Sequence, residues 1–514
     1  MRNIRLLWLL LVPFYAIGLF APVVGGFLDD GNYIATARAL AEGHGYQISS
    51  LPSEMAQTKY PFLLPGALAV VWHVLPSFPA NAIPLKLIPM LCGLLWGWTI
   101  WLVLRDGLGR TGAAWVAALV LSLPWCVFLS SSVLSETMFA FLTWAALFRF
   151  GKAATNKDIA VAAVLAGAAF LTRSSGIALA IAALAILAKT GKWRQCAWFG
   201  AVFGALCLPW VAWQSAHPAP ADAVLAYYSK ANYAQWNLLA NFDMAQKFAI
   251  LWRNLLRTVY SPATFVGFAA QPAAALVTLP MSMLALWGWW LACRKELAIL
   301  PVWAALYFLL VLSWAWPAER FLVVLVPLMF YYAWTALPQR AAKVYLTIAF
   351  TLCSFGLYGQ ARDTWRGELA SLPEMGVEDW RALTVMLSEF GATAPKDTVL
   401  AGNLDSLFSL YSGRKAIRPY AEDPYLLYYS DDPARQPLGN LPQLCQTLRK
   451  YHVTHLVVDH LKLFQESKFM NLLVKEWQTV EPGALLLQAQ TPDGRFQIYR
   501  ISTTRFSAAS IVTR

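Results

Sequence analysis

Apolar runs of roughly bilayer-crossing length recur along the first two thirds of this chain, with short basic doublets between them. A helix rising 1.5 Å per residue needs about 20 apolar residues to cross the hydrocarbon core. Such runs fall at 6–24, 82–104, 111–129, 136–150, 159–171, 174–188, 195–214, 275–292, 297–315, 320–337 and 343–359. Hydrophobic residues make up 58% of the chain and charged residues 13%, where a soluble domain carries about 25% charge. The pattern predicts a polytopic α-helical membrane protein of about eleven spans. The net charge of +12 does not point to nucleic acid, because the basic residues sit in loops between spans, where topology accounts for them.

The pair 159–171 and 174–188 is short enough to be one long helix or a hairpin across LTRSSG. A hairpin places Arg2/Arg5, Arg105/Arg110, Arg149/Lys152/Lys157, Lys189/Lys192/Arg194, Arg294/Lys295 and Arg340/Lys343 on one side. That is the distribution of the positive-inside rule, so the N-terminus is expected inside and the C-terminus outside. The run Leu6 to Val24 lacks a small-x-small cleavage site and reads as a retained span.

Four outer segments follow from this topology. The first, 25–81, contains FLDDGNYIATARALAEGHGY and a second helix-like piece from Pro61 to Leu75. The second is SSSVLSE, 130–136, and the fourth is WAWPAER, 314–320. The third, 216–274, carries DMAQKFAILWRNLLRTVY, in which Met244, Phe248, Leu251, Leu255 and Val259 share one helical face away from Arg253 and Arg257. That pattern fits a helix lying at the membrane interface.

Beyond about residue 360 the apolar runs shorten to strand length, as in TVLAG (398–402) and HLVVD (455–459). Helical patterns appear near 377–390 and 441–451, and QTPDGRFQIYRI reads as a strand pair around a turn. A small outer α/β domain, 361–514, is expected. It has no phosphate-binding glycine motif and no catalytic role is assigned to it. The seven cysteines show no metal-binding spacing and read as core-filling thiols.

Charge is scarce elsewhere, so the charges at the outer ends of spans stand out: Asp29, Asp30, Glu42, Glu54, Lys59, Lys86, Glu136, Arg173, Glu319 and Arg320. A packed bundle could gather several of them into one cavity, pairing carboxylates able to take a proton with cations able to hold a phosphate. Each also has a plainer role. Asp29, Asp30 and Glu136 would serve as helix caps; Lys59, Arg173 and Arg320 would serve as headgroup anchors. No GxSxG, HExxH or GxxxxGK[ST] motif occurs.

The order of DDGNYIATARALAEGHGY, KYPFLLPGAL, an SE-bearing loop, LAGAAFLTRSSGIAL and PAERFLVVLVPL resembles the GT-C glycosyltransferases. Within them it is most similar to the branch holding protein mannosyltransferases and the lipid A aminoarabinose transferase. The resemblance covers residues 1–360. It implies a polyprenyl-phosphate-linked sugar as donor, a lipid, glycan or protein as acceptor, and transfer on the periplasmic or lumenal face. The compact chain and short inner loops suit a bacterial inner membrane over an endoplasmic reticulum membrane. By position the resemblance makes Asp29 the candidate base, with Asp30 and Glu136 as further catalytic acids. It makes Lys59 and Arg320 donor-phosphate residues, and the charge pattern of the outer face adds Arg173 to them. Asp30 stands where relatives have Glu, Phe62 where they have Pro, and Glu136 where many have Asp, which leaves a divalent metal open. No organic cofactor is expected. A transporter or flippase of lipid-linked sugars, binding the same phosphate without cleaving a bond, is the alternative. A structural assembly protein is a third.

Overall fold

The computed structural model describes residues 2–265, 272–295, 298–369, 372–430 and 437–502. The expected third outer segment is therefore described except for 266–271, and the C-terminal domain except for 370–371, 431–436 and 503–514. The first residue of the expected span 297–315 also lies outside the described residues.

Helix α1 (Arg2–Phe20) leads into the segment 25–81, which holds α2 (Asp29–Ala41), the antiparallel pair β1 (Gln47–Ile48) and β2 (Met55–Ala56), and α3 (Leu63–Val74). Next comes α4 (Ala82–Leu121), which is a hairpin. Gly109 takes φ 70°, ψ 166° in its middle, and Gly97 packs against the Leu121 side chain. One straight helix would hold those two residues about 36 Å apart. Helices α5 (Pro124–Ser131), α6 (Glu136–Gly151), α7 (Asn156–Thr172), α8 (Ile177–Lys189) and α9 (Trp193–Ala216) complete the first part of the bundle. A Thr155–Asp158 capping box starts α7. The chain breaks between α7 and α8 at Arg173, whose φ of −147° and ψ of 130° are extended, so the expected hairpin is present.

Three short helices follow, α10 (Ala223–Ala226), α11 (Ala231–Gln235) and α12 (Leu238–Asn241). They lead to α13 (Met244–Phe265), α14 (Pro272–Lys295), α15 (Ile299–Leu312), α16 (Glu319–Leu322), α17 (Val326–Ala336) and α18 (Gln339–Trp365). Helices thus occupy the expected spans, with two corrections. The run 320–337 is divided by a 3-10 turn at Val323–Leu325 between α16 and α17. The run 111–129 is broken: α4 ends at Leu121, and Pro124 starts α5, which meets α6 at a bend of 106°. Proline has no N–H for a continuing helix, so it starts a new one. Among the described residues, α4, α9 and α18 are long and apolar enough to cross a membrane, and the bent α5–α6 pair would make a fourth. The expected count of eleven spans is not established: among the described residues these alone have the length and apolarity of full spans, and the other expected spans coincide with shorter or bent helices.

Close helix contact rests on small residues, as lipid-facing bundles require. A side chain at Gly167 of α7 would run into Leu206 of α9, and Ala162, Ala163, Ala166 and Ala169 of α7 are all buried. Trp96, Trp144, Trp303 and Tyr307 fill the centre, with the Trp144 indole N–H donating to the Val324 carbonyl at 3.1 Å. The inner side of α13 is tied down by Asn254, whose amide donates to the carbonyls of Leu312 (3.0 Å) and Trp314 (2.8 Å). Its opposite face leaves Met244, Phe248, Leu251 and Leu255 exposed, the stripe expected of an interfacial helix.

Past α18 lie the strand pair β3 (Glu368–Leu369) and β4 (Leu372–Gly376), then α19 (Val377–Thr393), β5 (Val399–Ala401), α20 (Asp405–Ser412) and β6 (Lys415–Ile417). They are followed by α21 (Pro424–Tyr428), α22 (Leu441–Lys450), β7 (His455–Asp459), α23 (Gln465–Val480), β8 (Leu485–Gln490) and β9 (Phe496–Ile501). The sheet order is β6-β5-β7-β9-β8. Strands β6, β5 and β7 are parallel, and β7, β9 and β8 antiparallel. The run HLVVD forms the central strand β7 and is buried throughout, as a strand covered on both faces must be. The first outer segment is clasped by this domain. The Ala416 N–H donates to the Ser50 carbonyl at 2.9 Å, Lys415 reaches the Ser49 carbonyl at 2.7 Å, and the Ser406 hydroxyl donates to the Leu28 carbonyl at 3.2 Å.

Gly31 makes that clasp possible, since a Cβ there would lie 2.6 Å from the Ser406 Cβ. Gly31→Val is expected to cost about 1–3 kcal/mol by overpacking, lowering Tm and exposing residues 361–502 to proteolysis. Gly151→Ala, where a Cβ meets nothing within 4 Å, is the control. Equal Tm for the two variants would contradict the clasp.

Candidate active site

The two adjacent acids at the start of α2 have different tasks. Asp30 turns back into the preceding loop: its Oδ2 accepts the Gly25 N–H (2.7 Å), and its Oδ1 accepts those of Phe27 and Gly31 (2.9 Å each). Burial lifts its carboxyl to about 6 against the pull of those three bonds. The loop it ties is sharp. Gly25 has φ 85°, and Leu28 has φ 49°, ψ −55°, a positive-φ γ-turn in which the Asp29 N–H bonds the Phe27 carbonyl. A branched side chain held there costs on the order of 1–3 kcal/mol. The result is that Asp29 turns the other way, into a cavity of 1460 Å³.

In that cavity the Tyr60 hydroxyl donates to Asp29 Oδ1 at 2.5 Å, and Arg320 Nη2 lies 2.9 Å from Oδ2. Burial alone would raise the Asp29 carboxyl. The charges of Arg320 and Lys59, with the Tyr60 bond, outweigh it and hold the group below the usual carboxylate range. Arg320 extends the chain of pairs through its Nε, 2.5 Å from Glu136 Oε1. The same oxygen accepts Arg173 Nη1 at 2.7 Å, and Arg173 also donates to the Ser135 hydroxyl at 2.8 Å. Glu136 is buried at 3% exposure, behind both arginines. The Lys59 side chain is buried as well, its ammonium 4.0 Å from the centre of the Tyr227 ring. Among the described residues it makes no ion pair, and burial draws it down to about 8 against the attraction of Asp29.

Of the residues singled out in the sequence, Asp29, Lys59, Arg173, Glu319 and Arg320 line this cavity. Glu136 stands one layer back on a small adjoining void with Arg173, and Asp30 is in the loop beneath. The remaining expected charges lie elsewhere. Glu42 pairs with Arg38 and Glu54 with Lys415, while Lys86 donates to the Ala21 carbonyl past the end of α1. Besides Lys230, three charged cavity residues went unmarked: Arg418, Glu422 and Glu466 of the C-terminal domain. Nothing in their local sequence separates them from ordinary charges of an α/β domain.

The donor set does not fit a divalent metal. Among the described residues no three His, Cys, Asp or Glu side chains converge, and cations already face Asp29 and Glu136.

No protein family's sequence profile matches the chain, and no curated protein matches it in sequence. Solved structures match it in shape. ArnT from Cupriavidus metallidurans, bound to undecaprenyl phosphate, aligns over 98% of this chain and 98% of its own, with TM-score 0.50 and 14% identity. The AglB oligosaccharyltransferase from Archaeoglobus fulgidus, in complex with an inhibitory peptide and a dolichol-phosphate, aligns over 97% of this chain and 74% of its own, with TM-score 0.55 and 13% identity. A further structure of that oligosaccharyltransferase, with Zn and sulfate, gives TM-score 0.51 at 14% identity over 95% and 72% of the two chains. The chain therefore has the GT-C fold.

Glu136→Gln would leave Arg173 and Arg320 packed together without their shared counter-charge. Breaking a buried pair in this way costs about 3–5 kcal/mol, and a melting scan of the purified variant should show the loss. Unchanged Tm would mean that the arginines are balanced elsewhere.

Proposed function

We propose that this chain is an inverting membrane glycosyltransferase. In this proposal it moves a sugar from a polyprenyl-phosphate donor to a lipid, glycan or protein acceptor on the extracytoplasmic face. The observation that carries the proposal is Asp29: an ionised carboxylate directed into a large cavity, beside a buried lysine without an ion-pair partner among the described residues and an arginine. The shared fold, and the polyprenyl phosphates bound to ArnT and AglB in their structures, support the donor class. A multi-pass protein with its N-terminus in the cytoplasm and the C-terminal domain in the periplasm, in a bacterial inner membrane, fits the basic loops.

In the proposed step the acceptor hydroxyl gives its proton to Asp29 as its oxygen attacks the anomeric carbon. The bond from that carbon to the phosphate oxygen breaks, and polyprenyl phosphate leaves with the electron pair. Lys59, with Arg173 and Arg320, stabilises the charge that develops there. One base and one anion site suffice; the paired carboxylates of a glycosidase are not needed. A phosphate that draws on Arg320 relaxes its hold on Asp29, making the carboxylate more basic once the donor is seated. Glu136 keeps the arginines in place, and Asp30 keeps Asp29 turned outward.

Asp29→Asn is expected to lower turnover of a polyprenyl-phosphate sugar in membranes by about 10²–10⁴-fold, and turnover near the wild-type rate would overturn the role. The donor site has its own signature. Lys59 loses its charge as pH rises through about 8, so donor KM should climb between pH 7 and 9. In Lys59→Met it should start high and stay flat. A wild-type KM independent of pH would remove Lys59 from the phosphate site.

A further inference from the structure

We propose that the C-terminal domain supplies a carbohydrate subsite on the cavity wall, in which Glu422 and Glu466, arranged around Arg418, accept hydrogen bonds from sugar hydroxyls. This rests on the transferase proposal and goes beyond it, because it gives substrate recognition to the domain that the sequence left without a role.

Arg418 is 1% exposed. Its Nη1 donates to Glu422 Oε2 at 2.9 Å and its Nη2 to Asn403 Oδ1 and the Tyr420 hydroxyl at 3.1 Å each, with Glu466 Oε1 at 3.7 Å. Two buried carboxylates thus share one guanidinium. Behind them the Tyr228 hydroxyl accepts the Arg418 N–H at 2.9 Å and donates to Asp405 at 2.8 Å. Apolar residues of similar volume would commonly be as stable in such a place as a buried ionic cluster. The cluster also lies on the cavity wall and not deep in the domain core.

Charge is sorted along the cavity. Around Asp29, three cations (Lys59, Arg173, Arg320) face two carboxylates (Asp29, Glu136), while Glu319 on the same wall is paired with Arg257. Around Arg418, one cation faces two carboxylates. Tyr227 joins the two ends, with Lys59 4.0 Å and Arg418 4.5 Å from its ring centre. A phosphate is drawn to the first end and repelled by the second. The group at the second end is therefore a hydrogen-bond donor without negative charge. Aromatic rings stand beside the acids: the Trp316 indole donates to Glu422 Oε1 at 3.2 Å, and the Tyr428 hydroxyl to Glu466 Oε1 at 3.3 Å. Carboxylate acceptors next to aromatic faces match a sugar, with its hydroxyl rim and apolar C–H face.

The test uses the full-length protein in nanodiscs, titrated with undecaprenyl phosphate, a panel of methyl glycosides, and the matching glycosyl 1-phosphates. Wild type should bind undecaprenyl phosphate and at least one glycoside. Glu466→Gln should weaken the glycoside at least tenfold and leave undecaprenyl phosphate within twofold; Lys59→Met should do the reverse. Tyr428→Phe, which keeps every charge, should weaken the glycoside as well and guards against a folding defect in Glu466→Gln. If the sugar is the donor's, the glycosyl 1-phosphate binds at least tenfold tighter than its glycoside through both ends at once; equal affinities assign it to the acceptor. Undecaprenyl phosphate binding without any glycoside binding, or glycoside affinity unchanged in both Glu466→Gln and Tyr428→Phe, overturns the subsite alone. Absence of undecaprenyl phosphate binding overturns the donor site instead.

Discussion

One buried carboxylate oxygen organises the membrane half of this molecule. Glu136 Oε1 accepts both Arg173 and Arg320, and Arg320 in turn pairs with Asp29. The four residues come from the start of α6, the break between α7 and α8, the start of α16 and the start of α2. Each is at a helix end, where backbone groups are already unsatisfied and a charge is tolerated best. Taking any member away strands charge in a low-dielectric setting, so the chain of pairs fixes how these elements meet. Of its two acids it leaves Asp29 as the one that reaches the cavity.

The second constraint comes from outside the bundle. Asp30 binds three backbone N–H groups and stabilises the strained turn at Leu28. The C-terminal domain presses on the same loop through Ser406, and its edge strand β6 bonds the chain further on, at Ser50. Asp29 is thus held from two sides: by arginines of the bundle and by a loop clamped under a separate domain. That arrangement fixes the direction in which Asp29 faces the cavity.

The membrane-side residues were legible in the sequence for a physical reason. In a chain where most segments avoid charge, an ionisable residue at the end of a span is a departure, and the positive-inside rule sorts the departures by side. Asp29, Lys59, Arg173 and Arg320 were found in that way. The strand β7 was equally plain in HLVVD. Pro124 was visible, but the surrounding apolar run outweighed it and the break before α5 was missed. The division of labour between Asp29 and Asp30 depends on a positive-φ turn at Leu28, and no residue preference signals such a turn at a leucine. Arg418, Glu422 and Glu466 were missed because charge is ordinary in an α/β domain; only the folded contact with the bundle makes theirs unusual.

The central claim is that this cavity breaks a bond between a sugar and a polyprenyl phosphate, and does not merely carry the intact lipid. The most direct measurement is a single-turnover incubation of purified protein in nanodiscs with lipid-linked sugars and acceptor-containing fractions extracted from the cell envelope. Free polyprenyl phosphate would be quantified by mass spectrometry. Its appearance, stoichiometric with enzyme and dependent on the acceptor fraction, is the expected result. Lipid-linked sugar that binds and remains intact in the presence of acceptor would contradict it.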